Sequence, residues 1–228
     1  RGPDAQQHCR LQAQLRREEI ITSASGEDAW AETIRVPVFD GRGKVVGSVG
    51  MARDITERKR AETMLRHLAH HDYLTSLPNR PAFEASFADI LQRAKALRQG
   101  VALFFIDLDN FKNINDRCGH QHGDEILKNI AHKIRQNTRY SDFSFRYGGD
   151  EFALILPGTD KQEALSVCRN IQKSIANDKR GSEEGCLPTL SIGICGWSDG
   201  MTPEEMIRAA DEAMYLSKNE GKDRIMLS

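Results

Sequence analysis

The stretch VALFFID at 101–107 runs through six apolar residues without a polar break and ends in an acid. A strand with one wet face alternates in character, so an unbroken run fits a strand buried on both faces. Such a strand needs cover on each side of its sheet. The flanking sequence supplies helices for that purpose. NRPAFEASFADILQRAKALRQG offers Asn79 as an N-cap, Pro81 in the first turn and Gly100 as a stop. GDEILKNIAHKIRQN places Ile126, Leu127, Ile130, Ala131 and Ile134 on one helical face.

Short strands are expected over 143–147 and 152–156, followed by a helix over 161–177. LPTLSIGICGW reads as a strand, TPEEMIRAADEAMYLSKN as a helix and RIMLS as a closing strand. Thr202 and Glu205 form a capping box for that helix, with Pro203 inside its first turn. From residue 72 onward the order is β-α-β-β-α-β with added helices. That order implies an α+β fold of ferredoxin-like, palm type, one sheet covered by helices.

The front of the chain differs. Residues 1–19 are polar, with little core-forming pattern beyond Leu11 and Leu15. WAETIRVPVFDGRGKVVGSVGMARDIT then reads as a hairpin, Thr33–Phe39 and Lys44–Arg53 around the turn DGRG. Two or three strands are too few for an independent core, so this part reads as the end of a domain. In TERKRAETMLRHLAHHD, Ala61, Met64, Leu65 and Leu68 make a helical stripe among charges. It fits a connecting helix in a short parallel coiled coil, or a helix lying on its own domain. The stripe spans too few turns to choose between them.

The chain of 228 residues is long enough for a sizeable core and for more than one domain. Lys plus Arg number 32 and Asp plus Glu 33, so no broad basic surface argues for nucleic acid. No apolar run approaches the ~20 residues that cross a bilayer, and no charged-then-apolar leader opens the sequence. Five cysteines (Cys9, Cys118, Cys168, Cys186, Cys195) are scattered without a C-x-x-C pair. That scatter favours free thiols over a disulfide framework or a zinc site, and with the rest points to the cytoplasm.

FRYGGDEFALILP at 145–157 interrupts the strand pattern with two glycines and two acids. A tight hairpin accounts for Gly148 and Gly149. It does not account for Asp150 and Glu151, whose adjacent charges repel unless a cation lies nearby. Glycines also let a ligand approach the backbone closely. A hard cation such as Mg²⁺ suits carboxylate oxygens and leaves room for substrate phosphates. Asp107 ends the buried strand. If the hairpin strands neighbour that strand, three acids meet, and a two-metal site for in-line displacement at phosphorus becomes the chemical reading. Lys112 follows closely with a charge for phosphate, and Asn115 and Asp124 carry groups able to read a base edge. Taken singly, Lys112 and Asn115 read as solvated loop residues. Their position in one stretch beside the same acids is what raises them.

These residues resemble a known family. GGDEF at 148–152, DYLTSLPNR at 72–80, DLDNFKNINDRCGHQHGD at 107–124 and DEAMYLSKNEGKD at 211–223 are similar, in order, to the motifs of the GGDEF domain of diguanylate cyclases. The resemblance implies an enzyme that condenses two GTP into cyclic di-GMP and releases pyrophosphate. By matching position, Asp107 and Glu151 would hold Mg²⁺ or Mn²⁺, with Asp150 serving metal and catalysis and the Leu108 carbonyl as a backbone ligand. Asn115 and Asp124 would select guanine. Lys112, Lys218 and Lys222 would hold phosphates, and Gly148 and Gly149 would let the nucleotide lie against the hairpin. Lys222 stands where the family usually has Arg, which keeps the charge and loses a bidentate fork. Asn110 replaces a common Phe. RYSD at 139–142, with five residues between it and Gly148, matches the family's R-x-x-D product-inhibition site, Arg139 and Asp142.

WAETIRVPVFDGRGKVVGSVGMARDITERKRAE resembles the closing strands and exit helix of a PAS domain. His8, in the unpatterned head, is no convincing haem ligand. The expected division is 1–55 for the PAS-like part, 56–71 for a connecting helix and 72–228 for the GGDEF domain. Catalysis by this family implies a homodimer, because one product joins two nucleotides. Two other roles compete: a GGDEF domain that binds cyclic di-GMP or GTP without turnover, and a regulatory partner of a phosphodiesterase domain. An intact signature argues for turnover.

Overall fold

The computed structural model describes residues 15–22, 26, 28–177 and 186–228. The chain divides into two compact units, Arg1–His67 and Leu68–Ser228. His8 and Cys9 lie outside the described residues.

The first unit holds a three-stranded antiparallel sheet in the order β1-β2-β3: β1 (Leu15–Thr22), β2 (Asp28–Phe39) and β3 (Val45–Asp54). The expected hairpin is β2 and β3. Its turn is closed by the Asp40 carboxylate, which accepts from the backbone N–H groups of Arg42 (2.8 Å) and Lys44 (2.9 Å). β1 corrects the reading of 15–19 as unpatterned. Its polar side chains hide the strand period, and cross-strand partners hold it instead: Arg16 on Glu32, and Thr33 Oγ1 donating to Glu19 at 2.9 Å. Helix α1 (Thr56–His70) follows and buries no residue. Met64, Leu65 and Leu68 are all exposed along it.

The first helix wholly within the second unit is α2 (Arg80–Ala96), which Asn79 caps by accepting from Ala82 N. α2 ends before Gly100, with Arg98 in the left-handed region at φ 54°. Strand β4 (Val101–Leu108) follows, then α3 (Phe111–Cys118) and α4 (His120–Gln136). α3 was not foreseen, because only Ile114 of its eight residues is buried and a period is invisible in one point. Next come β5 (Phe143–Arg146), β6 (Glu151–Pro157), α5 (Lys161–Ala176), β7 (Leu190–Gly196), α6 (Pro203–Asn219) and β8 (Ile225–Leu227). The Thr202/Glu205 capping box of α6 is present.

The sheet order is β5-β6-β4-β7-β8, antiparallel except for the β7–β8 pair. Within it β4, α3/α4, β5, β6, α5 and β7 make the expected β-α-β-β-α-β core. All eight residues of β4 are buried, as its apolar run requires. Ala102, Phe104, Ile106 and Leu108 pack with α4 and α5, while Val101, Leu103 and Phe105 pack with α2 and α6. Burying a side chain such as Leu103, Phe104 or Ile106 contributes about 1.5–3 kcal/mol. Among the described residues, no helix is long and apolar enough to cross a membrane.

Cys118 and Cys186 are joined by a disulfide across 68 positions. This corrects the expectation of free thiols. Local spacing cannot register a pair that topology brings together, here the end of α3 and the approach to β7. Cys168 and Cys195 are free and buried.

Gly193 sets how closely α6 lies on the sheet. A Cβ there would stand 2.2 Å from Ala210 O and 2.2 Å from Met214 N, both backbone atoms that cannot turn aside. Gly193→Ala should therefore push α6 off β7 and cost about 3 kcal/mol or more. Denaturant unfolding of the variant, with a midpoint equal to the parent's, would show that the helix has room.

Candidate active site

Antiparallel pairing sets Asp107 directly opposite Glu151. Side chains alternate along a strand, so the face that takes Leu103 and Phe105 of β4 also takes Asp107. The face of Ala153 and Ile155 in β6 likewise takes Glu151. Asp150 adjoins them, its carbonyl accepting from Leu108 N at 3.2 Å. α6, seated close over Gly193, delivers Lys218 to this corner, with Nζ 2.7 Å from Asp107 Oδ2.

These groups line a cleft of about 490 Å³ together with Leu108, Asp109, Asn110, Phe111, Lys112, Asn113 and Lys222. Of the residues expected at a site, Asp107, Leu108, Lys112, Asp150, Glu151, Lys218 and Lys222 meet there. Asn115, Asp124, Gly148 and Gly149 do not line it. Asn115 lies on α3 and Asp124 on the adjoining α4, where Asp124 is exposed. Asn115 Oδ1 is buried without a hydrogen-bond partner among the described residues. A Cβ on Gly123 would stand 1.8 Å from that oxygen, so the glycine makes the space Asn115 occupies.

The electrostatics are strained in one direction. Burial pushes the Asp107 carboxyl up to about 6 against the opposing Lys218 ammonium, and Asp150 and Glu151 add to the rise. Lys218 is disfavoured by burial, but Asp107 and the other acids outweigh that and raise it. The donor set is all oxygen and over-supplied with negative charge, which suits a hard divalent cation. Among the described residues, Lys218 is the cation paired with Asp107.

The turn at 148–150 is compact. Tyr147 N and Gly148 N both donate to Glu151 O, at 2.8 and 3.1 Å. A Cβ on Gly148 would stand 2.5 Å from Glu151 Oε2, whereas one on Gly149 would meet nothing within 4 Å. Room for a ligand is thus on the side of Gly149, while the Gly148 side is filled by the Glu151 carboxylate.

Three residues went unassigned in the sequence reading. Arg146 donates to both oxygens of Asp72 (2.9 and 3.0 Å) and to Gly149 O (2.7 Å), tying the 72–78 segment to the turn. Arg80 stacks on the Tyr147 ring, 4.8 Å from its centroid. Asp109 is buried and accepts from Thr189 Oγ1 (2.7 Å), Ser191 Oγ (2.7 Å) and Asp223 N (3.1 Å). It fixes the turn that presents Lys222, whose Nζ donates to Asn110 Oδ1 at 2.7 Å. All three lie inside motifs quoted above, and their polar type beside apolar strands was the available signal.

Arg139 is exposed, and RYSD forms a turn in which Asp142 Oδ2 accepts from Arg139 N at 2.7 Å. The turn is closed by backbone and carboxylate, so the Arg139 side chain is not needed to hold it.

Residues 69–224 match the family model described as diguanylate cyclase, GGDEF domain, and residues 5–60 match the PAS fold. The chain is 39% identical over 178 residues to diguanylate cyclase DgcM of Escherichia coli K12, covering 77% of this chain and 42% of that protein. It is 44% identical over 161 residues to diguanylate cyclase TpbB of Pseudomonas aeruginosa, covering 69% and 37%. The chain therefore spans less than half the length of these curated relatives. The coiled coil and GGDEF domain of DgcB from Caulobacter crescentus, solved with c-di-GMP, superposes with a TM-score of 0.69 at 29% identity, over 75% of this chain and 93% of that one. A GGDEF-only form of TpbB superposes with a TM-score of 0.65 at 42% identity, over 69% and 94%.

The Asp72–Arg146 pair yields a stability test. Burial raises the Asp72 carboxyl, but hydrogen bonds from Thr75 and Arg146 outweigh it and hold the group below its ordinary value. A depressed carboxylate stabilises the fold above its unfolded value and loses that contribution as pH falls through the folded one. Asp72→Asn should cost about 2–4 kcal/mol at neutral pH, because the largely buried Arg146 is left without a counter-charge. The deficit should shrink in acid, as pH falls from the ordinary carboxylate range through the lower value of the folded parent. Denaturant melts at neutral and acid pH would read both, and a deficit that did not change with pH would refute the ionic account.

Proposed function

The chain belongs to the GGDEF diguanylate cyclase family, and from that premise we propose that it condenses two GTP into cyclic di-GMP with release of pyrophosphate. The observation that carries this is the opposed pair Asp107 and Glu151, with Asp150 and Lys218, in one cleft. In this reading Asp107, Glu151 and the Leu108 carbonyl hold Mg²⁺ or Mn²⁺, and Asp150 serves metal and catalysis. The bound metal supplies Lewis-acid stabilisation of charge at the α-phosphate and lowers the cost of ionising a 3′-hydroxyl. In this reading Asp150 and Glu151 take that hydroxyl's proton. Lys112, Lys218 and Lys222 meet phosphate charge. For Lys218 this means exchanging Asp107 for a phosphate when the nucleotide binds. Gly149 leaves the backbone open to the nucleotide, with Gly148 keeping the turn tight.

Asn115 and Asp124 select guanine. The buried, unpartnered Asn115 Oδ1 supports this, since an orphaned polar atom lacks a hydrogen bond that a base edge would restore. A carboxylate at 124 accepts from guanine N1–H and N2–H₂, groups that adenine does not present together. Each domain offers one nucleotide site, and the product is symmetric, so two copies act face to face as a homodimer. Arg139 and Asp142 bind product away from the cleft and slow the enzyme. The exposed Arg139 guanidinium supports that assignment, as a fork free to meet phosphate or a guanine Hoogsteen edge. We take 1–55 as the PAS-like part, 56–71 as the connector and 72–228 as the cyclase domain, working in the cytoplasm.

The purified chain incubated with GTP and Mg²⁺, its products separated by chromatography, tests the reading. Cyclic di-GMP should form from GTP and no cyclic dinucleotide from ATP. Asp107→Asn and Glu151→Gln should each lower turnover by about 100-fold or more with circular dichroism unchanged. Near-parental rates in Asp107→Asn would move the metal elsewhere. Binding of cyclic di-GMP or GTP without any turnover would favour a receptor role.

Arg139→Ala should keep basal turnover, because the 139–142 turn does not use that side chain, and should lose product inhibition. Inhibition curves at rising GTP provide the check. A variant inhibited as strongly as the parent, or a parent whose inhibition excess GTP fully relieves, would reduce this turn to a surface feature.

A further inference from the structure

Cys118 and Cys186 have no part in the proposed reaction, yet they meet beside the groups assigned to the base. Cys118 is the last residue of α3, and Cys186 opens the approach to β7, with Cα atoms 6.4 Å apart. His122, on the first turn of α4, sets Nε2 3.1 Å from Cys186 O. A ring nitrogen of His122 and the two sulfurs lie within 4.8 Å of one another. We propose that Cys118 and Cys186 are a reversible thiol–disulfide site that fastens the end of the helix carrying Asn115.

The burial pattern gives the chemistry a direction. Cys186 is 1% exposed, while Cys118 is partly exposed. A low-molecular-weight disulfide therefore meets Cys118 first. The Cys118 thiolate attacks one sulfur of the reagent, forming a mixed disulfide and expelling one thiolate. The Cys186 thiolate then attacks the Cys118 sulfur, forming the internal bond and expelling the second. Two protein thiols are oxidised and one disulfide is reduced to two thiols. The protons leave to the expelled thiolates, with the His122 imidazole at hand as a carrier. Cys168 and Cys195, 0% and 1% exposed, are too buried to compete. Among the described cysteines, one bond beside two free thiols suits a redox-sensing pair better than a scaffold built on disulfides.

The bond joins two structures that converge on the cleft. Asn115 lies one turn before Cys118, its carbonyl accepting from Gly119 N at 2.9 Å. Thr189, three residues beyond Cys186, donates its hydroxyl to Asp109 at 2.7 Å and accepts from Asp109 N at 2.9 Å. The oxidised pair thus pins the base-side helix to the segment that anchors Asp109. Reduction removes the covalent tie at the end of α3, a helix that buries only Ile114.

The effect on nucleotide rests on Asn115 as a base reader; the bond itself does not. The full chain would be equilibrated in glutathione buffers of varied ratio, alkylated, digested and weighed by mass spectrometry, with hydrogen exchange followed over 111–123. A linked 118–186 peptide should appear in oxidising buffer and vanish in reducing buffer. Exchange over 111–123 should slow by about 5-fold or more in the oxidised form. Cys118→Ser and, separately, Cys186→Ser should remove both effects. GTP should bind severalfold more tightly to the oxidised parent. Absence of the linked peptide at every ratio, its persistence in reducing buffer, or unchanged exchange would each overturn the proposal. So would one zinc per chain, retained through dialysis with both sulfurs unlinked, which would make the cluster a metal site. Absence of GTP binding in both states would count against the proposed function, and the peptide and exchange readouts would still decide this site.

Discussion

Asp107 and Glu151 face one another because β4 and β6 pair antiparallel from Val101 and Pro157 down to these two acids. Register in a sheet buried on both faces is hard to shift, since a slip of one residue turns every side chain to the opposite face. Here a slip would exchange Phe152, Leu154 and Leu156 for Ala153 and Ile155 across two different cores. It would also send Glu151 away from Asp107. The same apolar packing that folds the second unit therefore sets the separation of its acids. α6 depends on it in turn, for Lys218 reaches Asp107 only because Gly193 lets the helix lie close.

The acids are gathered at a cost. An Asp pushed up to about 6 is held where its charge is unwelcome, chiefly through burial. Lys218 eases this in the structure as it stands. Its side chain is 32% exposed, so it can leave Asp107 for another anion without a large desolvation penalty. Asp109, two residues on, is the contrast. Three donors satisfy it completely, and it acts through the turn it holds, presenting Lys222, rather than as one more free acid. Two neighbouring carboxylates thus take opposite roles according to their partners, one left short of positive charge and one fully bonded.

Much of this could be read from the sequence. The buried strand, its helices, the Asn79 cap, the Thr202/Glu205 capping box and the acids beside the glycines all follow from period, turn chemistry and charge. What escaped shares one character: it depends on pairing across distance. β1 carries no clean alternation, because partners on β2 hold its polar side chains. α3 is too short and too exposed to show a period. The Cys118–Cys186 bond spans 68 positions and leaves no local mark. Arg146 looked like an ordinary strand residue, since nothing local announces a partner at 72. Motif matching reached the acids, lysines and base-side residues without showing that Asn115 and Asp124 stand on α3 and α4 and do not line the cleft of the acids.

The hairpin's rigidity comes from polar ties rather than from its own turn. Arg146 is nearly buried and spends its donors on Asp72 and Gly149 O, while its Nε has no partner among the described residues. Packing would be better served by an apolar side chain there, so the arginine is better explained by what it positions. It couples the turn bearing Asp150 to the 72–78 segment, and that segment is itself hydrogen-bonded to the end of α1. Asn79 N donates to His70 O at 2.9 Å, and Asn79 Nδ2 to Ala69 O at 3.0 Å. A displacement at residues 69–72 therefore reaches Gly149 through two hydrogen-bonded steps and a single side chain. Charge stabilisation by fixed groups demands that kind of support, because acids free to drift would relax away from one another before any cation arrived.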